Sequence, residues 1–195
     1  MHMYDKDVLR KYWSHAVEPI FSRCLKCGIK PSHITLLGSV FVVLGCYQLI
    51  NGNNLLTILI FFMAGFCDAT DGAYARATNQ VSDFGGFLDS VVDRYNEFLI
   101  VASVLYLYRD QPIFYYFSFV VFLGISLMSY SRAVYAKYNY QCPGNPFEYL
   151  ERSLLLVLFV LFGHPDIWLI TIAIGTHVFV MLRLLRFYQL SSAAP

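Results

Sequence analysis

Six apolar segments separated by short polar turns restrict this chain to few architectures. A helix needs about 20 mostly apolar residues to cross the hydrocarbon core of a bilayer. Segments near that length cover Ile34–Ile50, Leu55–Ala75, Gly85–Tyr108, Ile113–Tyr135, Tyr149–Gly163 and Ile167–Phe187. Only 14% of the residues are charged, against about 25% in an average soluble domain. The sequence therefore predicts an all-α integral membrane protein with six transmembrane helices, forming one domain over residues 1–195 with its bundle at 34–187.

Residues 1–33 precede the first span and are the predicted interfacial segment. Apolar side chains recur there at near-helical spacing from Val8 to Leu25, with basic side chains between them. This pattern is typical of an amphipathic helix that lies on a membrane surface. A solvated amphipathic helix folded onto the protein is the alternative. The segment is too polar and too long to be a cleaved signal peptide.

Basic residues fall almost entirely on one side of the predicted bundle. One group precedes the first span, and counting six spans places a second group on the same side: Lys6, Arg10, Lys11, Arg23, Lys26 and Lys30, then Arg76, Arg132, Lys137, Arg183 and Arg186. Only Arg109 falls on the opposite side. Because basic loops favour the cytoplasmic side, we expect a cell-membrane protein with both termini and its active site facing the cytoplasm.

Four aspartates interrupt the second and third apolar segments. A carboxylate at bilayer depth is costly unless it is paired, solvated or bound to metal, so it indicates a functional site. Asp68 and Asp71 are three positions apart and share one helix face, and Asp89 and Asp93 are four apart and share another. Antiparallel neighbouring helices would bring both pairs together, where they would repel strongly. Because oxygen-only ligands favour hard ions, we expect Mg²⁺ or Mn²⁺ there.

The residues around the aspartates fit a phosphate ligand. Arg76 lies about one turn beyond Asp71, where its guanidinium can contact a phosphate. Gly72, Ala75, Gly85 and Gly86 remove side-chain bulk where a ligand could approach the backbone. Small residues in membrane helices often serve helix packing instead. Taken with the carboxylates, they favour a metal site that neutralises a diphosphate.

The whole pattern resembles the signature of the CDP-alcohol phosphotransferase family. Its fixed positions run from Asp68 through Gly72 and Arg76 to Gly85, and end at Asp89 and Asp93. The predicted topology, six spans plus an N-terminal interfacial helix, is similar to that family too. The resemblance implies transfer of a phosphatidyl or related group from a CDP-linked lipid to an alcohol, with release of CMP.

The resemblance also implies roles for individual residues. Asp68, Asp71 and Asp89 would bind the divalent metal, and Asp93 would lie at that metal site and act as the general base. The positions implied to contact the CDP-lipid are Pro31, Ser32, His33, Ile34, Gly72, Ala75, Arg76, Ser82 and Gly85. Family members often have Asn at the position of Ser32.

The acceptor is expected from a second resemblance. The stretch Met128–Ala133 is similar to a Ser-Tyr-x-Lys/Arg-Ala stretch of prokaryotic phosphatidylinositol-phosphate synthases. It implies that the phosphate of an inositol phosphate is held by Ser129, Arg132, Arg152 and Arg183. Arginine suits such a dianion because its guanidinium donates two parallel hydrogen bonds. Alternatively, Arg132 and Arg183 are membrane anchors, and Arg152 pairs with Glu151.

Other functions are left open at this point. Within the class, the alternatives are phosphatidylglycerophosphate synthase or another headgroup transferase. A divalent-cation transporter would need acidic residues on more than two spans, and the outer halves of the spans have none. A helix bundle in which the metal has only a structural role would leave Arg76 and the other arginines unexplained. The expected partners are CDP-diacylglycerol or CDP-archaeol, a polar alcohol, membrane lipids and a second copy of the chain in a homodimer, with no nucleic acid.

Overall fold

The structure is a computed structural model that describes residues 28–144, 146–147 and 149–193. Every regular element in this described part is an α-helix. The helices are α1 Pro31–Ile50, α2 Asn54–Ala77, α3 Asp83–Leu107, α4 Ile113–Lys137, α5 Tyr149–Leu161 and α6 Pro165–Ala193. The all-α prediction is therefore confirmed, whereas residues 1–27 of the predicted interfacial segment lie outside the described residues.

Four of these helices, α1, α2, α4 and α6, are long and apolar enough to cross a bilayer. Helix α3 has 25 residues, but it carries the charged residues Asp83, Asp89, Asp93, Arg94 and Glu97. Helix α5 has 13 residues, which at about 1.5 Å per residue falls well short of a hydrocarbon core of about 30 Å. The chain is thus a membrane protein by its apolar helices, and the count of six spans stays a prediction.

Local capping chemistry moves several helix ends away from the predicted boundaries. Helix α1 begins at Pro31 rather than Ile34, because proline has the backbone angle that a first helical turn needs. Helix α3 begins at Asp83 rather than Gly85, since the Ser82 hydroxyl accepts a hydrogen bond of 3.1 Å from the Gly85 N–H. Helix α5 ends at Leu161, two residues before Gly163 takes a left-handed φ of 75°.

The chain divides into two compact units. The described residues of the first unit are 28–44 and Leu59–Asn96, and those of the second are Gly45–Ile58 and the described residues from Glu97 onward. The prediction of a single domain stays a prediction.

The first unit is built around the fully buried Tyr74 of α2. Its hydroxyl donates a hydrogen bond of 2.7 Å to the carbonyl of Ile29, just before α1. Ile34 of α1 packs against Tyr74 and its buried neighbour Ala73. Further along α1, a Cβ on Gly38 would lie 3.1 Å from the Cβ of Cys67. The missing side chain at Gly38 therefore lets α1 and α2 approach closely, as small residues do in membrane proteins.

In the second unit, α6 packs against α4 and α5. A Cβ on Gly124 of α4 would lie only 2.1 Å from Oγ1 of Thr176 on α6, so this crossing requires glycine. The buried apolar side chains of this unit include Val121, Ile125, Leu156, Leu169 and Ile172. Polar ties accompany them: Tyr135 donates a hydrogen bond of 2.6 Å to the Arg183 carbonyl, and Trp168 donates one of 2.9 Å to the Arg152 carbonyl.

Candidate metal and donor site

Three aspartates of the first unit converge in the structure. Asp68 near the end of α2 and Asp89 and Asp93 near the start of α3 each offer a carboxylate oxygen, and these oxygens lie within 4.8 Å of one another. All three residues are half-buried. The spacing of four residues places Asp89 and Asp93 on one face of α3, and Asp68 approaches this pair from α2.

This donor set fits a hard divalent ion. Mg²⁺ and similar ions bind oxygen ligands, carboxylates among them. The three carboxylate oxygens all lie within 4.8 Å of one another, near enough for one cation to bind them after small side-chain movements. Without a cation, three half-buried carboxylates this close would repel one another. Asp68, Asp89 and Asp93 are therefore the side chains that would hold Mg²⁺ or Mn²⁺.

The fourth predicted ligand, Asp71, has a different environment. Its side chain is 8% exposed, and both of its oxygens accept hydrogen bonds. The Thr35 hydroxyl donates to Oδ2 over 2.6 Å, and the Gly72 N–H donates to Oδ1 over 2.5 Å. The three carboxylate oxygens that lie within 4.8 Å of one another come from Asp68, Asp89 and Asp93, and Asp71 supplies none of them. Its role as a metal ligand stays a prediction.

Sequence reasoning did not single out Thr35. Thr35 precedes Asp71 by 36 positions, so no helical periodicity connects them. The nearest signal is its place one residue after the stretch Pro31–Ile34, which the family resemblance associates with the CDP-lipid. A second polar tie in the same unit was missed for the same reason: the Ser39 hydroxyl donates a hydrogen bond of 2.5 Å to the side-chain oxygen of the buried Asn96.

The predicted donor-contact residues lie at helix ends of the first unit. Arg76, in the last turn of α2, is exposed. Its guanidinium lies over Gly72, where an added Cβ would be 3.2 Å from Nη1 of the arginine. At the start of α3, an added Cβ on Gly85 would lie 3.1 Å from the Ser82 hydroxyl. Both glycines therefore leave room that a side chain would fill.

The start of α1 has its own polar contacts. Nδ1 of the exposed His33 accepts a hydrogen bond of 3.3 Å from the Lys30 N–H. Pro31 and Ser32 are half-buried, whereas Ile34 packs against the core of the unit. Ala75 is half-buried in the last turns of α2. Binding of a CDP-lipid by these residues remains a prediction.

The predicted acceptor-phosphate residues belong to the second unit, and two of them are buried. Arg183 is 3% exposed and donates to the Met128 carbonyl over 2.8 Å and to the Ser131 hydroxyl over 3.1 Å. Its other terminal nitrogen donates to the Pro143 carbonyl over 3.1 Å. Its Nε is buried without a hydrogen-bond partner among the described residues. Arg183 thus ties α6 to α4 and to the segment that follows α4.

Arg152 is 6% exposed and forms an ion pair with the buried Glu97 of α3. It also donates a hydrogen bond to the Phe147 carbonyl. The pair lines a small cavity together with Ile100, Ile125, Ser153, Leu156 and Trp168. Among the described residues, Arg152 therefore forms its ion pair with Glu97 rather than with its neighbour Glu151. Glu97 was not predicted, although it continues the spacing of four residues set by Asp89 and Asp93.

The other two acceptor residues lie on α4. Arg132 is exposed, and Ser129, three positions earlier, is half-buried. An exposed guanidinium is compatible with both earlier interpretations, a phosphate contact and a membrane anchor.

Comparison with known proteins shows which family the chain belongs to. The family described as CDP-alcohol phosphatidyltransferase matches residues 29–185 of the chain. The chain belongs to this family and is a CDP-alcohol phosphotransferase, a membrane-bound transferase of phospholipid synthesis.

Individual relatives show which members it is similar to. It is 36% identical over 117 residues to an archaetidylinositol phosphate synthase of Pyrococcus horikoshii, a match that covers 60% of each chain. It is 31% identical over 177 residues to an uncharacterized protein of Aquifex aeolicus, and that match covers 90% of each chain.

A solved structure shares the fold. Phosphatidylinositol phosphate synthase of Mycobacterium tuberculosis, with CDP-DAG bound, superposes with a TM-score of 0.74 at 21% identity, covering 85% of this chain and 90% of that one. Another structure of that synthase is a complex with manganese and citrate.

Proposed function

We propose that this chain transfers a phosphatidyl or archaetidyl group from a CDP-linked lipid to a hydroxyl of inositol phosphate and releases CMP. The convergence of Asp68, Asp89 and Asp93 carries the proposal, because it brings together oxygen-only ligands suited to a cation inside the family motif. The likeness to an archaetidylinositol phosphate synthase supports inositol phosphate as the acceptor. CDP-diacylglycerol and CDP-archaeol are the two candidate donors.

The carboxylates have distinct proposed roles. Asp68, Asp71 and Asp89, with Asp93 at the same site, would hold Mg²⁺ or Mn²⁺, and the bound ion would neutralise the diphosphate of the donor. Asp93 would accept the proton of the acceptor hydroxyl as that oxygen attacks the lipid-side phosphorus. The bond between that phosphorus and the CMP oxygen then breaks, and CMP leaves. Positioning of the two substrates supplies a large part of the rate.

The donor would be held by residues of the first unit. Arg76 is exposed and close to Gly72, so its guanidinium can donate to a phosphate that approaches the bare backbone of α2. Ser82, Gly85 and Ala75, with the stretch Pro31–Ile34, would complete the contacts with the CDP-lipid.

The acceptor's phosphate would be held by Ser129, Arg132, Arg152 and Arg183. Arg132 supplies the exposed charge of this set. Arg183 has a buried Nε that makes no hydrogen bond among the described residues and can donate to a ligand. The charge of Arg152 is already neutralised in part by Glu97. Arg152 would therefore contribute correctly placed hydrogen-bond donors more than net positive charge.

The cellular setting belongs to the proposal as well. The distribution of basic residues supports a cytoplasmic membrane location with both termini and the active site on the cytoplasmic side. A homodimer is proposed from the family resemblance.

One assay tests the proposed reaction. Purified protein in detergent or nanodiscs is given Mg²⁺ or Mn²⁺, one CDP-linked lipid and one alcohol from a panel, and CMP release is measured. We expect inositol phosphate to be used and free inositol to be used far more slowly. Preferred use of glycerol phosphate would instead identify a phosphatidylglycerophosphate synthase. Absence of CMP release with every acceptor, together with metal flux into vesicles, would favour a cation transporter.

A further inference from the structure

Thr35 is the side chain that joins the start of α1 to the aspartates of α2. Its hydroxyl has one hydrogen, and two acceptors lie near it: Oδ2 of Asp71 at 2.6 Å and the Pro31 carbonyl at 3.3 Å. The shorter contact, to a carboxylate, is the stronger one, because hydrogen bonds to charged acceptors are shorter and stronger than those to neutral acceptors.

The contact controls where the carboxylate of Asp71 points. One oxygen is held by Thr35 and the other by the Gly72 N–H, so rotation of the carboxylate would break both hydrogen bonds. Asp71 is 8% exposed, so water cannot readily replace a lost partner. Each oxygen still has a lone pair available. Asp71 can therefore accept a further ligand only in the orientation that Thr35 sets.

We propose that Thr35 is a positioning residue for metal and donor binding: it orients Asp71 and fixes that carboxylate to the first turn of α1, where Pro31–Ile34 lie. This inference rests on the proposed function, because it takes Asp71 to act at the metal and donor site. It assigns a role to a residue outside the aspartate signature.

Two kinds of result distinguish positioning from general structural support. Thr35→Val keeps the shape and removes the hydroxyl, whereas Thr35→Ser keeps the hydroxyl. A positioning role predicts weaker metal and donor binding in the valine variant, recovery in the serine variant and an unchanged KM for the acceptor. A purely structural role would lower the thermal stability and leave metal affinity per folded molecule unchanged.

Thr57→Val is the matched control. Thr57 is a threonine of the membrane helix α2 that is fully buried, where Thr35 is half-buried, and its hydroxyl has no hydrogen-bond partner among the described residues. The same chemical change there removes no contact to a carboxylate, so Mn²⁺ affinity should equal that of the parent.

The experiment titrates Mn²⁺ alone into full-length protein in nanodiscs, followed by electron paramagnetic resonance, and then measures binding of CDP-diacylglycerol. We expect the Kd for Mn²⁺ to rise about 10-fold or more in Thr35→Val, since the lost hydrogen bond is to a charged group. Thr35→Ser should stay within about 3-fold of the parent. In an Asp71→Asn background, Thr35→Val should have no further effect, because its action passes through Asp71.

The outcomes separate this inference from the proposed function. If Asp68→Asn weakens Mn²⁺ binding while Thr35→Val leaves it unchanged, the metal site stands and the role of Thr35 is wrong. If the parent itself does not bind Mn²⁺, the metal site and the inference both fail. Should Thr35→Val not fold, Thr35→Ala serves in the same titration and is held to the same criterion.

Discussion

At the scale of single residues, the proposed chemistry depends on four carboxylates in unequal surroundings. Asp68, Asp89 and Asp93 face one another within 4.8 Å, whereas Asp71 is held by Thr35 and Gly72. Three carboxylates so close together repel one another, and a bound cation would relieve that repulsion, whereas the fourth already has two hydrogen-bond donors. A change of one aspartate to asparagine should therefore have a different effect at each position.

Asp93→Asn tests the general base. The amide cannot accept the hydroxyl proton, so we expect kcat to fall about 10²- to 10⁴-fold, the usual contribution of a general base. At saturating metal, binding of CDP-diacylglycerol should persist, because the predicted ligands Asp68, Asp71 and Asp89 remain to hold the cation. Asp110→Asn, an exposed aspartate in the turn before α4, is the control and should have parental kcat. A folded Asp93→Asn protein with near-parental turnover would contradict the assignment.

Asp68→Asn tests the metal site. Losing one of three clustered carboxylates should weaken Mn²⁺ binding and, through it, donor binding, with saturation at higher metal concentration restoring part of the turnover. Metal titrations monitored by CMP release and by direct Mn²⁺ binding would show both effects. Titration curves that overlay those of the parent would remove Asp68 from the ligand set.

Arg132→Ala is the cleanest test of the acceptor assignment, because Arg132 is exposed while Arg152 and Arg183 are buried in structural contacts. Charge-assisted hydrogen bonds are worth about 1.5–3 kcal/mol, so the KM for inositol phosphate should rise about 10- to 150-fold and the donor KM should change little. Arg186→Ala removes an arginine of α6 that is also exposed and should leave both constants unchanged. Equal values in the two variants would show that Arg132 is a membrane anchor.

At the scale of helices, contacts between neighbours depend on small residues at particular crossings. Gly124 on α4 leaves no room for a side chain beside Thr176 of α6. An added Cβ on Gly65 of α2 would instead have no non-local neighbour within 4 Å among the described residues, so a side chain fits there. The two helical glycines therefore make a matched pair.

Gly124→Ala should destabilise the protein, because the added methyl group meets Thr176 and forces α4 and α6 apart. Overpacking of this kind costs about 1–3 kcal/mol. Gly65→Ala should be neutral or slightly stabilising, since alanine is the better helix former. Thermal unfolding in detergent measures both. A Gly124→Ala protein as stable as the parent would mean that this crossing is looser than the structure indicates.

The pairing of Asp89 and Asp93 could be predicted from sequence because helical periodicity aligns residues four positions apart, whereas Asp71 was expected in the same group and is not part of it. Thr35 and Glu97 could not be assigned partners in that way. Their partners lie 36 and 55 positions away, and no local pattern encodes such a pairing. The start of α3 was placed two residues late because the cap made by Ser82 depends on a single hydroxyl.

At the scale of the whole molecule, many large apolar side chains are exposed along the helices, among them Leu55, Leu59, Phe119 and Leu184. Water would disfavour such a surface, whereas lipid chains cover it without cost. The exposed apolar side chains and the four apolar helices agree on a membrane protein, and the passage of α3 and α5 through the bilayer needs its own test.

Cysteine labelling tests the predicted six spans. In a variant whose five native cysteines are replaced by serine or alanine, Asn53→Cys and Asp110→Cys should react with an impermeant maleimide in intact cells. Gln80→Cys and Lys137→Cys should react only after permeabilisation, because six spans place those turns in the cytoplasm. If Gln80 and Asp110 label from the same side, α3 does not cross the membrane.

The buried pair of Glu97 and Arg152 has a consequence for how this protein can vary. Replacing either partner alone removes the ion pair of the other buried charge, which should lower the free energy of unfolding by about 3–5 kcal/mol. Substitutions that the protein tolerates should therefore occur at both positions at once. In a library randomised at both positions, selection for folding alone should also recover paired apolar residues. Selection for growth that depends on the enzyme's product should retain Arg152. The difference between the two sets of survivors separates what these two positions contribute to folding from what they contribute to catalysis.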